Sequence, residues 1–216
     1  MNPWYLGIGA GVLVLLLGTR RVVSADVIKR YPTTYDEVFR VECPGIPVEY
    51  LRSLARHESD MNPDETTGGA WGLLQVWWMS PGSVLDDYNK RKGTTYSRED
   101  LLDPATNARL ACETLHRIAT YYERNFRRVF PNPSWRDRRF VEIVTLGWNA
   151  GWAQRSGVAY VMSNLVAEGR GADIDLAMIR DAAGRYEQAT DKLRSPTPYW
   201  WARKVVTGYF AQRGDV

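Results

Sequence analysis

Apolar and polar positions repeat with a helical period through most of this chain, and with a strand period almost nowhere. In "PVEYLRSLARHE", Leu51, Leu54 and Glu58 fall at i, i+3 and i+7, one face of a helix opening at Pro47, a favourable first-turn residue. In "PATNARLACETLHRIATYY", Ala111, Leu115, Ile118 and Tyr122 share a face, with Asp103 placed as the cap and Pro104 first in the helix. "RRFVEIVTLGWNAG" lines up Val141, Val144 and Trp148 and stops at Gly151. Further helices are predicted over 157–168, 173–190 and 199–212. Strand signals are few and short. The pattern predicts a mainly α-helical domain.

The N-terminal pattern is of another kind. Residues 1–19, "MNPWYLGIGAGVLVLLLGT", hold no charged side chain, and Arg20 and Arg21 follow at once. A helix needs about 20 apolar residues to cross a bilayer, and Trp4 and Tyr5 suit its interface. A cleaved signal peptide carries its positive charge before the apolar run, and none is present there. Residues 1–21 therefore read as a retained transmembrane helix and so as contact with a lipid membrane. Arg20, Arg21, Lys29 and Arg30 all follow the span, which by the positive-inside rule places the following domain on the cytoplasmic side at insertion. Residues 22–46 have weak periodicity and read as a tether, leaving 47–216 as the folded domain.

Composition changes this picture little. A hydrophobic share of 44% and a charged share of 25% are ordinary for a globular chain. The net charge of +3 permits an anionic partner without requiring nucleic acid. Cys43 and Cys112 lack metal-ligand spacing, and whether they pair depends on the redox compartment. No metal or nucleotide site is visible, so no cofactor is expected. The segment 124–139 holds six arginines and one aspartate around Phe126, Phe130 and Trp135. A solvated loop is the default reading, and anionic lipid or a wall polymer the functional one. With no nucleic-acid motif beside it, no specific nucleic-acid partner is expected.

The chemistry concentrates in "RHESDMNPDETTGGAWGLLQV". Glu58 points where Leu51 and Leu54 point, so its carboxyl group loses hydration and its pKa rises, which is what a general acid needs near neutrality. A frayed helix end, or pairing with an arginine, is the plain alternative. Gly68, Gly69 and Gly72 then let the chain turn tightly, and Gln75 offers a donor and an acceptor among Leu73, Leu74, Val76 and Trp77.

Four ordered motifs carry a resemblance. Glu58-Ser59 with Asn62-Pro63, then Gly69-Ala70-x-Gly72-Leu73-Leu74-Gln75, resembles the soluble lytic transglycosylase pattern E-S-x-x-N-P, G-A-x-G-L-M-Q. "LLDPATNARLACETL" resembles that family's D-P-x-x-N segment, "GWNAGW" its Y-N-A-G element, and the aromatic-rich last helix its closing one. The resemblance implies a mainly α, lysozyme-like fold over 47–216 with a cleft for peptidoglycan glycan strands. It implies Glu58 as sole acid/base and a non-hydrolytic cut between N-acetylmuramic acid and N-acetylglucosamine that leaves a 1,6-anhydro end. Ser59, Gln75, Trp148, Asn149 and Tyr199 become substrate-binding candidates. For Ser59, a helix-end hydroxyl bonding back to the backbone is an equal reading. For Tyr199, Trp200 and Trp201 are rivals. Two departures stand out: Trp148 replaces the tyrosine of Y-N-A-G, and Trp152-Ala153 replaces the following Pro-Gly.

Two competing readings remain at this level. A goose-type-like lysozyme would need an aspartate to place water, with Asp60, Asp64, Asp86 and Asp87 as candidates. A wall-binding or virion structural protein would keep the fold without turnover. A bacteriophage enzyme carried in an internal virion membrane, beside other membrane or capsid proteins, reconciles the charge bias with action on the wall during genome entry. A bacterial inner-membrane enzyme facing the periplasm is the alternative.

Overall fold

The computed structural model describes residues 30–153 and 155–214. The transmembrane reading of 1–21 lies outside these residues. Among the described residues, no helix is long and apolar enough to cross a membrane.

The helices are α1 (Asp36–Glu42), α2 (Val48–Glu58), α3 (Val84–Lys92), α4 (Pro104–Asn125), α5 (Arg138–Ala150), α6 (Val158–Ala167), α7 (Leu176–Ala183), α8 (Asp191–Arg194) and α9 (Thr197–Arg213). Between α2 and α3 sits a two-stranded antiparallel ribbon, β1 (Ala70–Trp71) and β2 (Val76–Trp77), pairing Ala70 with Trp77 and Trp71 with Val76. Local chemistry starts the helices where the sequence predicts. The Asp103 carboxylate accepts from the Thr106 amide and Pro104 opens α4; Asp137 accepts from the Arg139 and Phe140 amides at the head of α5. The face formed by Ala111, Leu115, Ile118 and Tyr122 is buried, as are Val141 and Val144 on α5.

The core is built where α9 lies along both α2 and α5. The α2–α9 crossing is close. Ser53 Oγ donates to the Val205 carbonyl at 2.6 Å, and Gln212 Nε2 donates to the Glu49 carbonyl at 2.9 Å. The Tyr50 ring meets Trp135 at 4.8 Å and Tyr209 at 5.8 Å between centroids.

The structure departs from the sequence reading in three places. Residues 36–42, assigned to the tether, form α1 and belong to the domain. Its seven residues bury only Asp36 and Phe39, too little for a periodic signal, but its links are strong. Cys43 is bonded to Cys112 on α4, Arg109 grips Glu42 at 2.7 and 2.9 Å, and Arg52 grips Asp36 at 2.5 Å through two nitrogens. The pairing of the cysteines, left open by spacing, is thus settled. The span 173–190 is not one helix: α7 ends at Ala183, and Thr190 caps the separate short α8 by accepting from the Leu193 amide. Helix α3 is not predicted, because "VLDDYNKRK" buries only Leu85 and Tyr88.

In the arginine-rich segment the aromatic side chains turn inward. Phe126 and Phe130 are buried and Trp135 packs on Tyr50. Arg139 donates to the Val129 and Ala172 carbonyls, while Arg124, Arg127, Arg128 and Arg136 are exposed. This is a solvated loop without outward stacking rings.

Candidate active site

Glu58 is the last residue of α2, one turn beyond the fully buried Leu54, so the helix holds its carboxyl group against the core. Burial pushes its pKa up to about 7 from an ordinary 4.5, against the opposing pull of the Trp148 N–H and the Lys192 ammonium. Trp148 Nε1 donates to Glu58 Oε1 at 2.7 Å. The indole thus supplies a hydrogen bond directly to Glu58, from the position where Trp148 replaces the tyrosine of Y-N-A-G.

The opposite wall is the ribbon and its turn, held by a residue that sequence reasoning passed over. Asn107, fully buried on α4, accepts from the Leu74 amide at 2.8 Å and donates to the carbonyls of Trp71 at 2.8 Å and Leu101 at 2.9 Å. One amide side chain therefore fixes both arms of the turn. Gly72 lies so close that a Cβ there would stand 2.2 Å from Asn107 Nδ2 and 2.0 Å from the Leu101 carbonyl oxygen, and its φ is +81°. Gln75 takes a left-handed φ of 49°, and its amide nitrogen donates to the Gly72 and Glu65 carbonyls. The D-P-x-x-N motif was the available signal for Asn107: the Asp caps the helix and the Asn clamps the turn.

Between these walls is a cleft of about 430 Å³ lined by Glu58, Gln75, Trp77, Trp148, Asn149, Trp152 and Lys192, among others. Gln75, Trp148 and Asn149 meet beside Glu58 as expected. No hydrogen bond engages the Asn149 side chain among the described residues, leaving it available to a ligand. Ser59 and Tyr199 do not line this cleft. Ser59 is buried, and its hydroxyl donates to the Leu73 carbonyl at 2.8 Å, tying the turn to the end of α2. Tyr199 is buried outside the cleft, and its hydroxyl donates to the Leu193 carbonyl at 2.7 Å. It braces α8, next to Lys192. Burial lowers the Lys192 pKa and Glu58 raises it, the mark of a cation facing the acid.

Among the described residues Glu58 is the one carboxylate lining the cleft. The aspartates considered for water placement are engaged elsewhere: Asp60 with Arg56, Asp86 with Lys90 and the Gly82 amide, Asp87 with Arg91 and Arg117; Asp64 is exposed outside the cleft. Nor do three or more His, Cys, Asp or Glu side chains come together among the described residues in a way that could hold a metal ion.

Residues 40–141 match the Transglycosylase SLT domain family. The 70 kDa soluble lytic transglycosylase SLT70 from Escherichia coli superposes with a TM-score of 0.57 at 21% identity, over 87% of this chain and 25% of that one. The chain shares its fold with part of that transglycosylase. The complex of the 70 kDa soluble lytic transglycosylase with bulgecin A gives 0.57 at 23% identity over the same shares. The chain thus spans about a quarter of the length of these transglycosylases. No curated protein matches. The family match ends at Val141, short of Trp148 and Asn149, which line the cleft beside Glu58.

Proposed function

We propose that this chain is a peptidoglycan lytic transglycosylase with Glu58 as its single acid/base. The carrying observation is that one carboxylate, held protonated near neutrality by burial, faces a cleft with no second carboxylate among the described residues. A hydrolase of the usual kind uses two. Glu58 protonates the glycosidic oxygen between N-acetylmuramic acid and N-acetylglucosamine as the bond to the anomeric carbon breaks. The substrate's N-acetyl group supports the developing cation. The Glu58 carboxylate then takes the proton of the muramoyl 6-hydroxyl as that oxygen bonds to the anomeric carbon, and the 1,6-anhydro product leaves without water. The Trp148 N–H favours the carboxylate form between the two steps, Asn149 and Gln75 offer polar contacts to the sugar, and Trp77 and Trp152 offer ring faces.

Digestion of purified peptidoglycan with the full chain, followed by mass spectrometry, tests this. Anhydromuramoyl ends that vanish in Glu58→Gln support it. Hydrated reducing ends would assign the lysozyme chemistry instead, and binding without turnover, unchanged in Glu58→Gln, would leave a structural wall-binding protein.

We further propose that residues 1–21 anchor the domain to a membrane and that the protein travels in a virion. The charges after the apolar run favour insertion with the domain on the cytoplasmic side, whereas the Cys43–Cys112 bridge fits an oxidising environment at maturity. A domain enclosed in a particle and then released meets both conditions. Finding the protein in cell envelopes and never in purified particles would overturn the virion assignment in favour of an inner-membrane enzyme.

A further inference from the structure

A second groove, of about 360 Å³, lies on the flank of α2 that carries His57 and is walled by α9 and by the first described residues. Arg30, Arg203 and Lys204 line it, and among the described residues no acidic side chain does. Burial, with the positive fields of Arg30, Lys204 and Arg56, holds His57 below its ordinary range, so the imidazole adds no charge of its own near neutrality. Trp200 at the rim is 58% exposed, and the Lys204 ammonium stands 3.7 Å from its ring centroid.

The start of the described chain is fixed at this groove. Tyr31 is buried against α9 at Gly208, where a Cβ would meet the Tyr31 hydroxyl at 2.2 Å. Arg30 is therefore held at the groove, and residues 22–29 can extend over no more than about 28 Å between it and the apolar run.

We propose that this groove docks on the anionic head groups of the bilayer that residues 1–21 enter, with Trp200 among the head groups and Arg203 and Lys204 against lipid phosphates. The inference rests on reading 1–21 as a membrane span. Exposed tryptophan beside an arginine and a lysine that have no acidic partner among the described residues is the chemistry of a membrane interface, and each such cation near an anionic surface raises occupancy about fivefold. Docking also gives the molecule a direction. His57 and Glu58 are consecutive on α2 and so project about 100° apart. With the His57 flank on lipid, the cleft opens roughly parallel to the bilayer surface and not into it.

The test uses the full chain reconstituted into vesicles of phosphatidylcholine alone or with phosphatidylglycerol. Labelling of each lysine by a membrane-impermeant amine reagent is read by mass spectrometry on the outward-facing fraction. Lys204 should label about fivefold more slowly on the anionic vesicles, Lys90 at the same rate on both, and high salt should remove the difference. Arg203→Glu, a surface change, should remove most of the Lys204 protection. Equal Lys204 labelling on both lipids overturns the proposal; slow labelling on both shows that another surface covers the groove, which also overturns it. A chain that floats with neither vesicle overturns the span and the docking together. None of these readouts depends on glycan cleavage, so the enzymatic reading stands or falls separately.

Discussion

The surroundings of Glu58 oppose its charge, while Trp148 and Lys192 temper that opposition. Folded, it titrates near 7; unfolded, near 4.5. Between those values the folded chain holds more protons than the unfolded one, so this group's contribution to stability falls as pH rises from about 4.5 to about 7 and is flat above. Glu58→Gln should therefore abolish turnover yet stabilise the fold by about 1–3 kcal/mol near pH 8, with little difference near pH 4, as read by thermal denaturation. Turnover itself should fall as pH rises through about 7, because the first step needs the protonated acid. Trp148→Phe removes an N–H that favours the carboxylate. It should move that alkaline limb to higher pH and lower kcat roughly tenfold. Lys192→Met should move the limb the same way, by less, since its effect on Glu58 is the smaller. An unmoved limb in Trp148→Phe would show that the indole does not tune the acid.

The ribbon between β1 and β2 is too short to hold its own shape, so Asn107 and Ser59 hold it from the helices on either side. Asn107→Ala leaves three backbone groups without their partner and should destabilise the domain by about 2–4 kcal/mol, with activity falling in parallel. Denaturant unfolding beside turnover measures both. Ser59→Ala keeps the helix and loses the tie to Leu73, so glycan binding should change little; a sharp fall would show that Ser59 touches sugar. The same elements show what was legible beforehand. Glu58 was readable because a period of i, i+3, i+7 states which way a side chain points, and the Asp103 cap of α4 because capping is local. The back-bond of Ser59 to the Ala55 carbonyl was legible as the local reading of a helix-end hydroxyl, but its tie to Leu73 and the tie of Tyr199 to Leu193 were not, because only the folded chain brings those carbonyls near. Lys192 was invisible for the same reason: it stands on the short α8, far along the chain from Glu58.

At the scale of the whole molecule, the domain is larger than its periodic part. Helix α1 carries too few apolar residues to announce itself and is secured instead by two charged pairs and the Cys43–Cys112 bridge, which closes a sequence separation of 69. Replacing both cysteines by serine should lower stability by about 2–4 kcal/mol, and reductant should lower the melting temperature of the native chain alone. The bridge has a second consequence. Glu58, the ribbon and Asn107 all lie between its two ends, and so does the exposed run from Asp64 to Gly68, apart from half-buried Glu65. A protease cutting in that run would divide the chain without releasing a piece: the two fragments remain one covalent body around the cleft. Nicked protein should migrate intact until a reducing agent is added, and an enzyme exposed to foreign proteases would outlast its own first cut.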